Sequence, residues 1–128
     1  MVIAITLMTL LLIALGGALG AVARYLLSSF VLRASGLLFP AGTFAVNLVG
    51  CLAFGFIIGA AQHRFVLTPE KNAFLLVGVL GGFTTFSSFA CESFALLNAG
   101  QFFAAGLNIV GQVVCGLIGL WAGYVIGH

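Results

Sequence analysis

The sequence predicts an all-α integral membrane protein with four transmembrane helices, and three observations carry that expectation. Hydrophobic residues make up 63% of the 128 positions and charged residues 5%. The mean hydropathy is +1.34, far outside the soluble range. Residues 1–23, 34–63 and 93–128 hold no Lys, Arg, Asp or Glu, and a fourth such stretch, 72–91, lies between Lys71 and Glu92. A hydrocarbon core of roughly 30 Å is crossed by about 20 apolar residues in a helix. These stretches place the spans near 3–32, 40–62, 70–98 and 101–126, in one transmembrane domain over 1–128.

The first span has no Lys or Arg ahead of its apolar run, and the run is far longer than a secretory signal's, so it is expected to stay uncleaved. Gly16, Gly20 and Arg24 fall on one of its faces, four residues apart. Near the helix end Arg24 would snorkel to the interface; deeper, its charge would attract anions or anchor carbonyls. On the second span Thr43, Asn47 and Cys51 share a face. The Asn47 amide, two donors and one acceptor, suits either a clamp between helices or the lining of a pore.

The third span carries the most chemistry. Residues 81–92, GGFTTFSSFACE, bring together two glycines, four hydroxyls, three phenylalanines and a carboxylate. Gly81-Gly82 invites the helix to break, and irregular backbone at membrane depth survives only against protein or a wet cavity. The segment therefore points to a path for a small solute or ion. Phe86 and Phe89 lie on adjoining parts of one face, and rings that present their positive edges favour an anion. Thr85, Ser88 and Glu92 form a neighbouring polar stripe, with Ser87 beside it. Carbonyls freed near Gly81, Gly82 and Thr84 would suit a small cation such as Na⁺. Packing accounts for any one of these residues; their concentration beside a backbone break favours a pathway.

On the fourth span Asn108 and Gln112 share a face and either continue a polar lining or pack. Small residues recur at four-residue spacing as Gly16-Gly20, Gly55-Gly59 and Gly111-Cys115-Gly119-Gly123-Gly127. Such stripes let helices approach closely in lipid, between subunits or within one. Loop charge barely sets an orientation: Arg33 stands on one side against Arg64 and Lys71 on the other. Either both orientations occur and pair as an antiparallel dimer, or one orientation is fixed by other means. Few interior faces exist in 13.2 kDa to shelter Arg24, Asn47, Glu92, Asn108 and Gln112, which also argues for association. Cys51, Cys91 and Cys115 lack pairing or metal-ligand spacing, and His63 and His128 are expected to have no co-ligand nearby. No nucleophile–base pair can be assembled, so an enzyme is not expected.

GGALGAVARY (16–25), GTFAVNLVG (42–50) and GVLGGFTTFSSFACE (78–92), in this order across four apolar helices, resemble the CrcB/Fluc family of small fluoride channels. The resemblance covers nearly the whole chain. It implies a bacterial cytoplasmic (inner) membrane protein, an antiparallel dual-topology homodimer with two pores that exports toxic fluoride passively and selects against chloride. Its partners would be fluoride, membrane lipid and a second copy of the chain, with no nucleic acid. Phe86 and Phe89 would contact fluoride through their ring edges, Asn47 would be the pore-facing amide, and Thr85, Ser87, Ser88 and Glu92 would lie along the path. Gly81 and Thr84 would offer backbone carbonyls to a structural Na⁺ at the dimer interface, and Arg24 would lie near the vestibules. Ala90 stands where such proteins often have a hydroxyl, and Asn108 and Gln112 replace hydroxyls on the fourth helix.

Two other readings compete. A small dual-topology, proton-coupled exporter of cationic drugs needs an acidic residue in its first span, where this chain has Arg24. A non-transporting scaffold subunit would explain the glycine stripes but not the run of hydroxyls and rings.

Overall fold

A computed structural model of the chain describes residues 6–128; positions 3–5 of the expected first span lie outside the described residues. Helix α1, Leu7–Ser35, begins where the Thr6 hydroxyl accepts the Thr9 N–H, and ends at Gly36 in the left-handed conformation with φ 60°. Helix α2, Ala41–His63, starts after Pro40, and the Arg64 N–H closes it on the Ala60 carbonyl. Helix α3 starts at Pro69–Lys71, capped by the Thr68 hydroxyl. It widens into a π-helix over Asn72–Leu80 and finishes as an α-turn at Gly81–Phe83. Thr84 and Thr85 are extended, and helix α4, Phe86–Asn98, follows. Gly100, with φ 71°, turns the chain into helix α5, Phe102–Gly127. Among the described residues, four helical segments are long and apolar enough to cross a membrane: Leu7–Ser35, Ala41–His63, Pro69–Asn98 and Phe102–Gly127.

Two pairs dominate the packing, α2 against α5 and α1 against α3. Glycine makes both possible. A Cβ on Gly55 would run into the Leu120 carbonyl, and one on Gly123 into the Leu52 carbonyl, so α2 and α5 touch backbone to backbone. On the other pair, a Cβ on Gly16 would stand 2.5 Å from the Phe74 carbonyl oxygen, and one on Gly20 would strike the Val79 carbonyl. The glycines at 16, 20, 55, 59, 119, 123 and 127 are thus used within one subunit, while Gly111 meets the Phe44 ring. Besides glycines, the buried residues among those described are the apolar Val46, Ala60, Ala73, Leu80, Phe83, Leu96 and Ala105 and the polar Thr43, Thr85, Ser93 and Asn108.

One expectation is corrected. Gly81 and Gly82 are helical, and the backbone leaves helical geometry after them, at Thr84 (φ −78°, ψ 156°) and Thr85 (φ −148°, ψ 115°). Gly82 serves closeness instead, since a Cβ there would come within 2.6 Å of the Gly17 carbonyl oxygen. The two threonines are β-branched, which suits extended backbone.

Candidate functional site

The extended pair Thr84-Thr85 is held from α2. Asn47 Oδ1 accepts the Thr85 N–H at 2.8 Å, and Asn47 Nδ2 donates to the Thr85 carbonyl at 3.0 Å. The side-chain amide therefore pairs with one residue's backbone much as a neighbouring strand would. Because the Thr85 N–H turns to Asn47, it is not available to the Gly81 carbonyl four residues earlier, its partner in a regular helix. The Thr84 N–H and hydroxyl both donate to the Leu80 carbonyl, at 2.9 Å each. Arg24, half-buried on α1, reaches the Thr84 carbonyl with Nη1 at 3.5 Å. Thr85 then caps α4: its Oγ1 accepts the Ser88 N–H at 3.2 Å and donates to Ser88 Oγ at 3.0 Å.

Two cavities meet at Thr85. One, of about 380 Å³, is lined by Asn47, Thr84, Thr85, Phe86, Phe89 and Gln112 among others. The Phe86 and Phe89 rings lie 5.5 Å apart, tilted by 53°. Phe86 is 78% exposed in the single subunit, so its ring stands at the cavity's outer edge. The other cavity, of about 360 Å³, is lined by Arg24, Ser28, Thr43, Thr85, Ser88 and Glu92, among others. Within it Glu92 Oε1 accepts from Thr43 Oγ1 at 2.6 Å, and among the described residues Glu92 Oε2 is buried with no hydrogen-bond partner. Arg24 shares this cavity without pairing with that oxygen.

The structure thus gathers Asn47, Thr84, Thr85, Phe86, Phe89, Ser88, Glu92 and Arg24 around one short segment. Ser87 stands apart: it is exposed, borders neither cavity, and touches the group only through a 3.4 Å contact with Thr85 Oγ1. Asn108 and Gln112 belong to the site, as does Ser93, which sequence reading missed. Gln112 Nε2 donates to Asn108 Oδ1 at 2.9 Å, Asn108 Nδ2 to Ser93 Oγ at 2.9 Å, and Ser93 Oγ to the Phe89 carbonyl at 2.7 Å. The signal for Ser93 was its place four residues after Phe89, on the same helix face. All three cysteines are free. The histidines correct another expectation: His63 and His128 are neighbours, with Nε2 atoms 3.4 Å apart and ring centroids 4.4 Å apart. They meet because α2 and α5 end on the same side, where Tyr124 also donates to Gln62 Oε1 at 3.0 Å.

This fold and site define a small multi-pass helical membrane protein with a polar interior on both sides of an extended segment. The family described as CrcB-like protein, Camphor Resistance (CrcB), matches residues 11–124. The chain is 47% identical over 119 residues to the fluoride-specific ion channel FluC of Nitratidesulfovibrio vulgaris, covering 93% of this chain and 96% of that relative. It is 48% identical over 115 residues to the protein of the same name from Geobacter sulfurreducens, covering 90% and 93%. The chain belongs to the CrcB-like family.

Proposed function

We propose that this protein is a fluoride-selective passive channel that exports fluoride across the bacterial cytoplasmic membrane. The carrying observation is the near-full-length likeness to proteins named fluoride-specific ion channels; two cavities that both have Thr85 in their walls support it. Fluoride is small and strongly hydrated, so a selective path must replace its water with compact donors. The Ser88 hydroxyl, which accepts from Thr85 Oγ1, has its own hydrogen to turn toward an anion, and the Phe86 and Phe89 ring edges add positive potential without a charge that would trap the ion. Arg24 raises the anion concentration at the second cavity. Glu92 is the group least matched to an anion: its free oxygen donates when it carries a proton and repels when it does not. The flow is downhill and needs no energy source.

The working unit in this reading is an antiparallel dual-topology homodimer. The near-balanced loop charge supports it, as does the Phe86 ring, which borders the first cavity yet is 78% exposed in the single subunit. The Gly81 carbonyl, from which Asn47 diverts the Thr85 N–H, and the Thr84 carbonyl are backbone oxygens of the kind that coordinate Na⁺ where a membrane helix is broken. Together with the same two from a second copy they would hold a structural cation, which would neutralise converging carbonyl dipoles between subunits.

The test is fluoride efflux from reconstituted liposomes, with chloride efflux run in parallel. Fast fluoride loss with chloride retained is expected; no fluoride loss from monodisperse protein overturns the reading. Phe86→Leu and Phe89→Leu should each cut fluoride efflux while eluting like the parent protein. Normal conduction in both would dismiss the ring-edge mechanism.

A further inference from the structure

We infer that Gln112 is a positioning residue: with Asn108 it forms a directed ladder of side-chain amides that locks the Asn47 carboxamide, and through it the extended Thr84-Thr85 segment, in one orientation. The ladder runs unbroken from the Thr85 N–H to Asn47 Oδ1 (2.8 Å), from Asn47 Nδ2 to Gln112 Oε1 (2.8 Å), and from Gln112 Nε2 to Asn108 Oδ1 (2.9 Å). It continues from Asn108 Nδ2 to Ser93 Oγ (2.9 Å) and from Ser93 Oγ to the Phe89 carbonyl (2.7 Å).

Amide ends look alike, so their direction must be deduced from neighbours that leave no choice. Both ends of this ladder leave none. The Thr85 N–H only donates, which requires the Asn47 oxygen to face it and sends the Asn47 nitrogen to Gln112. The Phe89 carbonyl only accepts, so the Ser93 hydrogen goes to it, leaving Ser93 Oγ to accept from the Asn108 nitrogen. The Asn108 oxygen then receives the Gln112 nitrogen, and the Gln112 oxygen receives Asn47. The two deductions, started from opposite ends, agree at Gln112. Asn108 is fully buried, so water offers it no substitute partner.

Asn47 spends both amide hydrogens, one on the Thr85 carbonyl and one on Gln112. In this arrangement it shapes the pathway by holding backbone, with no hydrogen to spare for a passing anion. Turning the carboxamide over would set oxygen against the Thr85 carbonyl and against Gln112 Oε1, and its NH₂ against the Thr85 N–H. Gln112 is what makes that turn costly from outside the segment, which is why its effect should be read at Thr85.

The efflux readout rests on the channel reading; amide hydrogen exchange at Thr85 does not. The variants are Gln112→Met and Asn108→Leu, close in shape but unable to pass the ladder on. In lipid-reconstituted protein, each should speed exchange at Thr85 and lower fluoride efflux by about tenfold, the scale of one lost buried hydrogen bond. The double variant should be no worse than the more affected single one, because the ladder is already cut. Either single variant, folded and with parental exchange at Thr85, overturns the proposal, and so do efflux losses that multiply in the double variant. If the parent protein passes no fluoride, the channel reading fails while exchange at Thr85 still decides the ladder.

Discussion

Asn47→Asp should slow fluoride efflux on the order of a hundredfold. The substitution changes one atom in size but reverses a donor. Where Asn47 Nδ2 now gives hydrogens to the Thr85 carbonyl at 3.0 Å and to Gln112 Oε1 at 2.8 Å, a carboxylate oxygen would face two acceptors. It would also set a negative charge on the wall of the cavity that holds Phe86 and Phe89. Two like charges about 6 Å apart repel by roughly 3 kcal/mol at an effective dielectric of about 20, and a barrier of that size slows an anion on the order of a hundredfold. The initial rate of fluoride loss, measured on monodisperse protein, checks this. Undiminished flux would remove Asn47 from any part in conduction.

Replacing Gly123 with Val should strongly destabilise the subunit. Its Cβ would occupy the place of the Leu52 carbonyl, and because Gly55 meets Leu120 in the same way, neither helix can slide to relieve the overlap. Overpacking commonly costs about 1–3 kcal/mol; here the obstacle is backbone, so the cost should lie at or above the top of that range. Thermal loss of the monodisperse peak in detergent measures it. Gly106→Ala is the matched control, since a Cβ there meets nothing within 4 Å, and it should melt no lower than the parent. A Gly123→Val protein as stable as Gly106→Ala would mean that α2 and α5 do not pack this closely.

The four spans could be read from sequence because lipid imposes a length and a composition that charge-free stretches display directly. The ring pair Phe86 and Phe89 was legible for a similar reason: three-residue spacing is enough to place both on one side of a helix. The partnership of Asn47 with Thr85 was not, since it depends on the relative depth of two helices for residues 38 positions apart in the chain, and no local pattern encodes depth. Gly81-Gly82 misled because glycine serves two ends, and a pair that permits a bend also permits contact; the contact with Gly17 is what this fold uses. Asn108 and Gln112 stood open between lining and packing because a carboxamide's task is set by its neighbours. The meeting of His63 and His128 was implicit in the span count, since the second and fourth of four spans must run the same way.

The glycine faces that α1, α2, α3 and α5 turn toward one another leave a surface of large side chains, among them Phe30, Phe94, Phe103 and Trp121. If the proposed homodimer forms, its second subunit would settle on bulky knobs of this kind, and acyl chains would compete for the same places. Association would then obey mass action in two dimensions, with lipid as a rival ligand. The fraction associated would follow the mole fraction of protein in the bilayer, and diluting the protein with lipid would separate the subunits while each remained folded.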